Sequence, residues 1–341
     1  MHRACENALQ PPAVQAAVCP LVFEPVGVDA HRELKAVWAS GSNAWAVGPE
    51  GALTLSSERF VRPANDPAIG SQLRAVWATD DARAVWLLRA GTSAAIRREL
   101  HELALDEASP ISAELFAIWG RTAADVYVGG GDSDGRIARW DGTGWRVARV
   151  ADSPVIGLAA WKKTNVFAVT ATELLVEEAG TFTSLGRAPG PLSGALFPVG
   201  PRDVWLGGDD GKLRRFSEGQ WAELTVSTSP VTAFWAASSS LLFFSTAAGG
   251  VGMFDGNQAT WLPFGDAKLE AMAGNGAGGV IAVGHGLAMR GRCARPGELP
   301  ENTVVSVSQG GNPIRDDRHC DVICTHYTTS GTCQGSRTVC F

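Results

Sequence analysis

No run of apolar residues in this sequence approaches the length of about eighteen that crosses a bilayer as a helix, so no helical membrane span is expected. Lysine is scarce: Lys35, Lys162, Lys163, Lys212 and Lys268 are the only ones among 29 basic residues. The basic residues are scattered and the formal charge is -6, which leaves no cationic stripe for a phosphate backbone and argues against a nucleic-acid partner. Histidine occurs six times, and in the central stretch no two stand at metal-ligand spacing. His285, between two glycines, reads as a turn residue rather than a ligand, and neither a metal nor a cofactor is expected in this region. Tyrosine occurs twice, and Tyr127 falls at an aromatic strand position filled elsewhere by Trp45 and Trp205, so packing accounts for it. A GxSxG elbow, a P-loop and a dinucleotide fingerprint in strand and helix context are all missing, which points away from the enzyme classes that carry linear motifs. Cysteine is absent from residues 20–292, while seven cysteines stand at 5, 19, 293, 320, 324, 333 and 340.

The long cysteine-free stretch is built on a repeat. An apolar segment, a small polar turn and a second apolar segment ending in Gly recur, most clearly as LKAVWASGSNAWAVG from Leu34, LFAIWGRTAADVYVGG from Leu115 and SGALFPVGPRDVWLGG from Ser193. Weaker copies begin at Leu73, Ile156, Val231 and Leu269, so successive starts lie 39, 42, 41, 37, 38 and 38 residues apart. The segments are four to six residues long, rich in Val, Trp and Phe and bounded by Gly, Asn, Asp or Ser, which reads as strands a and b of a four-stranded unit. Strand c follows turns such as GGDSDG at 130–135 and GGDDG at 207–211, and strand d opens on a bulky residue such as Trp145, Phe182, Trp221 or Trp261. One such meander leaves a sheet face uncovered, whereas seven packed radially bury it, so the pattern predicts an all-β, seven-bladed propeller.

The seventh copy has no strand d of its own, because the register of the other blades lands on Arg295 within CARPGELP. Residues 20–26 are the converse, a strand d with no blade: Phe23 precedes Leu34 by the same eleven residues that separate Trp145 from Ile156. The N-terminal strand is therefore expected to complete the last blade, in a propeller over 18–293 flanked by an N-terminal segment 1–17 and a cysteine-rich tail 294–341. Cys19 and Cys293 would then meet at the joint and pair as a disulfide, with two unrelated thiols as the alternative. In the tail, Cys320, Cys324, Cys333 and Cys340 suit two disulfides better than a zinc site, without fixing their connectivity. Cys5 stays unassigned. Disulfides imply an extracytoplasmic chain, although no signal peptide is readable at the N-terminus.

The segment IWGRTAADVYVGGGDSDGRIARWDGTGW, from Ile118 to Trp145, resembles the Trp-rich propeller repeats of secreted or lipid-anchored surface proteins of Gram-negative bacteria. A looser similarity to kelch repeats rests on Gly129, Gly130 and Trp140. The resemblance, to secreted or lipid-anchored proteins, implies a scaffold or recognition role; a monomeric ring is expected. The expected function is accordingly non-enzymatic binding of a protein or glycan on one face. The alternative is a hydrolase or lyase assembled at the channel mouth from several blades. The turn residues Asp132, Asp134, Asp209 and Asp210, on equivalent loops of blades 3 and 5, are the candidate carboxylates for a cation or basic ligand, against a reading as solvated turns. The channel discriminates the two functions: converging carboxylates, Arg and His would mark an enzyme, small apolar side chains a scaffold.

Overall fold

The computed structural model describes residues 21–29, 31–63, 70–99, 105–108, 110–236, 241–261, 268–274, 279–293, 303–304, 320–324 and 336–340. Seven antiparallel sheets form the blades, in chain order with strands a to d meandering outwards: 36–61, 73–108, 115–151, 157–187, 192–225, 231–261 and 269–293. Each strand a packs against the strand a of the next blade, and that of blade 7 (Leu269–Gly274) meets that of blade 1 (Ala36–Ser40), so the ring is closed. The second strands are buried except at an end residue, as Val204–Gly208 within Asp203–Gly208 shows, because neighbouring blades cover both of their faces. This explains their unbroken apolar runs. The outer strands are largely exposed, as Trp145–Ala151 shows.

Aromatic residues fill the wedges between blades. Trp86 of one strand b lies 5.6 Å from Trp145 of the next strand d, and Tyr127 lies 6.2 Å from Phe182 one blade further on. Phe243 of blade 6 meets Phe23 in the same way, at 6.0 Å and 65°. Phe23 belongs to the N-terminal strand, Leu21–Val26, which pairs antiparallel with the third strand of blade 7, Leu287–Cys293. Phe23 stands opposite Gly291 as Trp145 stands opposite Trp140, so it occupies the strand-d aromatic position anticipated from its spacing. The seventh blade is completed by the N-terminal strand, and Thr303–Val304 adds a fifth strand on its outer edge. That short strand brings the segment after residue 293 onto the ring.

The register sets Cys293 opposite Leu21. Cys19 lies outside the described residues, as do the side chains of Cys293 and of the tail cysteines, so the Cys19–Cys293 pairing and the two tail disulfides fall there. In the tail a hairpin of Cys320–Cys324 with Ser336–Cys340 places Cys320 opposite Cys340.

Charged residues at the turns between strands a and b also staple the sheets. Asp125 accepts from Arg139 of strand c at 2.7 Å, and Asp203 takes Arg215 in the same way through two bonds of 2.8 and 2.6 Å. Arg121 donates to Asp125 and Tyr127 and reaches the buried carboxylate of Glu177 in blade 4, to which the Tyr127 hydroxyl donates at 2.8 Å. Burial and the neighbouring Glu177 push the Tyr127 phenol well above its ordinary range, so it stays protonated as a donor. The WDG motif has a local cause: the Asp141 carboxylate accepts from the Thr143 hydroxyl and from the amides of Thr143 and Gly144, and these bonds bring its pKa to about 2.

Candidate functional site at the mouth of the central channel

The innermost strands enclose a cavity of about 260 Å³. Small and apolar residues such as Ala36, Ala75, Ala117, Gly157, Ala195 and Ala233 make up most of its wall, and its polar side chains are Thr232 and Glu270. These small residues keep the centre of the ring open where larger side chains would fill it.

A repeated bulge decides what stands at the mouth. Register slips separate Leu73 from Ala75, Leu115 from Ala117, Val231 from Ala233 and Leu269 from Ala271, with a longer slip between Leu192 and Leu196. In blades 1 and 4 the amides of Lys35 and Ile156 make the equivalent extra bonds, to the carbonyls of Val47 and Val169. A bulge re-aims its extra residue. The seven blades thus present Lys35, Arg74, Phe116, Ile156, Gly194, Thr232 and Glu270 in a ring. In sequence these are the second residues of LKA, LRA, LFA, VIG, SGA, VTA and LEA, a position where the chemistry changes from copy to copy.

The glycine that ends strand b sets the neighbouring residues. A Cβ at Gly48, Gly130 or Gly284 would lie 1.9, 2.0 or 1.7 Å from the carbonyl oxygen of Glu33, Glu114 or Lys268. Only glycine lets the segment entering strand a lie flat on these turns. Glu114 then pairs with Arg74 at 2.9 Å, and the Arg74 guanidinium stacks over Phe116 at 4.7 Å.

At the seam of blades 7 and 1 the Gly286 amide donates to Arg32 and the His285 amide to Lys268, and a backbone bridge joins Glu33 to His285. The turn fixes the imidazole, whose Nε2 lies 3.0 Å from Glu33 and 3.6 Å from Glu270. The Lys35 ammonium lies 2.5 Å from Glu33 and 3.4 Å from Glu270. Its hydrogen bond holds Glu33 below the usual carboxylate range, with His285 adding to the effect. Burial works against the Lys35 charge, but the two carboxylates outweigh it and raise its pKa. His285 is thus the expected turn residue and also the partner of two carboxylates, an arrangement that no linear His spacing reveals. Ligand atoms of Glu33, Glu270 and His285 lie within 4.8 Å of one another, and the Lys35 ammonium already serves these carboxylates as a cation.

The four loop aspartates are not brought together with a third metal-ligating side chain among the described residues. Asp132 and Asp209 are exposed. Asp134 is bonded by Arg136 at 3.1 Å, and that bond holds its pKa down. Asp210 receives two bonds, of 2.9 and 2.6 Å, from Arg214, which is fully buried and also donates to Glu223 and to the Pro191 carbonyl. Arg214→Met strips that cation from two carboxylates and a carbonyl. We expect a loss of about 3 kcal/mol, read as a fall in melting temperature of roughly 4–5 °C for a chain of this size; an unchanged melting temperature would refute the assignment.

No family model matches the chain, and no curated protein does. Among solved structures, it is similar to a streptogramin B lyase, with 12% identity, a TM-score of 0.63, and 80% of this chain and 98% of the other covered. YCF48 from Cyanidioschyzon merolae is similar to the same degree, with 12% identity, a TM-score of 0.63, and 79% and 98% covered. Both likenesses concern the fold. The resemblance to Trp-rich propeller repeats likewise holds at the level of the seven-bladed fold, with no kelch or surface-protein family matched.

Proposed function

We propose that this chain is a non-enzymatic binding ring, working outside the cytoplasm, that takes a protein or glycan ligand at the channel mouth on the face carrying the d-to-a and b-to-c connections. The observation that carries this reading is the wall of the cavity, which is small and apolar around one carboxylate. The other charges at the mouth are spent on each other, Arg74 on Glu114 and Lys35 on Glu33. A partner would dock on the ring of bulge residues, with Phe116 as its aromatic contact.

The test compares variants in capture of bacterial surface extracts and on a glycan array. Arg74→Glu, at the mouth, should weaken any specific capture by about tenfold or more, while Val147→Glu on an outer strand should leave it unchanged. The reverse pattern would move the binding surface to the rim and overturn the reading.

A lyase or hydrolase is the second reading. His285 beside two carboxylates at a channel mouth is a base with orienting groups, and a protein of similar fold is a streptogramin B lyase. Turnover of streptogramin B that disappears in His285→Ala would favour that reading over binding alone.

A further inference from the structure

We infer that the channel mouth binds a small organic ammonium, with its protonated amine on Glu270 and its apolar body against the channel wall. The inference rests on the reading of the mouth as a ligand site and names the class of ligand. Three observations carry it.

Glu270 is a carboxylate only partly served. The Lys35 ammonium sits closer to Glu33, at 2.5 Å, than to Glu270, at 3.4 Å, and His285 shows the same preference at 3.0 against 3.6 Å. Both contacts to Glu270 exceed the roughly 2.7–2.9 Å of a charge-assisted bond. The ammonium that the two carboxylates share thus lies nearer Glu33, and Glu270 is the more weakly paired of the two.

Glu270 is also the ionisable side chain on the cavity wall, placed there by the blade 7 bulge. The other polar side chain of the wall, Thr232, has its hydroxyl engaged by Ser245 at 2.9 Å and by the Leu269 carbonyl at 3.2 Å. An anion would be repelled, and a neutral molecule would bring no counter-charge to the weakly paired carboxylate beside an apolar wall. A cation with an apolar body satisfies both parts of the wall.

The shape agrees with the charge. In a seven-membered ring, blades 3 and 4 lie across from blade 7, and there the wall offers Ile118, Ile156 and Leu158. A volume of about 260 Å³ falls just below the range of drug-sized sites, roughly 300–1,000 Å³, and suits a compact amine.

The experiment titrates the full chain by calorimetry with n-hexylammonium, 1-hexanol and hexanoate in low salt. Hexylammonium should bind one site per chain, about tenfold or more tighter than hexanol, with hexanoate weakest. Glu270→Gln should remove the preference for hexylammonium over hexanol while keeping the melting temperature. Glu58→Gln, which removes an exposed carboxylate from the c-to-d turn of blade 1 on the opposite face, should bind like the parent. Equal affinity for hexylammonium and hexanol, undiminished preference in Glu270→Gln, or no hexylammonium binding overturns the inference. So does one-for-one displacement of hexylammonium by magnesium or calcium, which would make the carboxylates a metal site. Partner capture that depends on Arg74 while amine binding fails would leave the binding ring standing and remove the ammonium alone.

Discussion

Deleting residues 1–27 should abolish folding of the ring, because the third strand of blade 7 then loses all six of its pairings with Leu21–Val26. Val22, Phe23 and Val26 are buried at 3, 8 and 5% exposure, and each removes about 1.5–3 kcal/mol of apolar contact with the deletion. Together that is roughly 5–9 kcal/mol, against a net stability of about 5–15 kcal/mol for a whole protein. The wedge of blade 6 also opens, since Phe243 loses Phe23, and a bare sheet edge invites association with other chains. The expected result is an aggregated or partly unfolded product by size exclusion and circular dichroism. A synthetic peptide of residues 18–30 should restore a cooperative melt. A truncated chain that melts like the parent would mean that the ring closes without its N-terminal strand.

Trp86→Ala should be the most damaging single substitution in the ring, at about 4 kcal/mol, or a fall in melting temperature of roughly 6–7 °C for a chain of this size. Trp86 is 2% exposed, and its ring sits 5.9 Å from Trp140 and 5.6 Å from Trp145, so truncation empties the wedge between blades 2 and 3. Trp86→Phe separates packing from polarity. It keeps an aromatic ring in the wedge and deletes an indole N–H that is buried without a hydrogen-bond partner, so it should cost less than roughly half as much. Equal losses for the two variants would mean that the aromatic contacts with Trp140 and Trp145 contribute little.

Much of the architecture was legible before any coordinates. Each strand carries its own signal, and a blade cannot bury its face alone, so the number of copies dictates the number of blades. Even the closure was readable, because the eleven residues from Phe23 to Leu34 repeat the offset from strand d to the next strand a seen in complete blades. The site was much less legible. Asp132, Asp134, Asp209 and Asp210 attract notice because turns collect carboxylates, yet Asp134 and Asp210 are held by arginines on their own blades. The groups that converge at the seam, Glu33, Lys35, Glu270 and His285, span more than 250 residues of chain and share no motif.

The sequence by itself determined the fold class, the count of blades, the borrowed strand and the aromatic wedges, since each follows from periodicity and local pairing rules. The tertiary structure alone decided which side chains meet at the channel. Closing the ring brings the last blade against the first, and a bulge at the head of each innermost strand sets one residue per blade at the mouth. Whether a carboxylate there is spent or available depends on distances of a few tenths of an ångström to Lys35 and His285, which linear spacing does not encode.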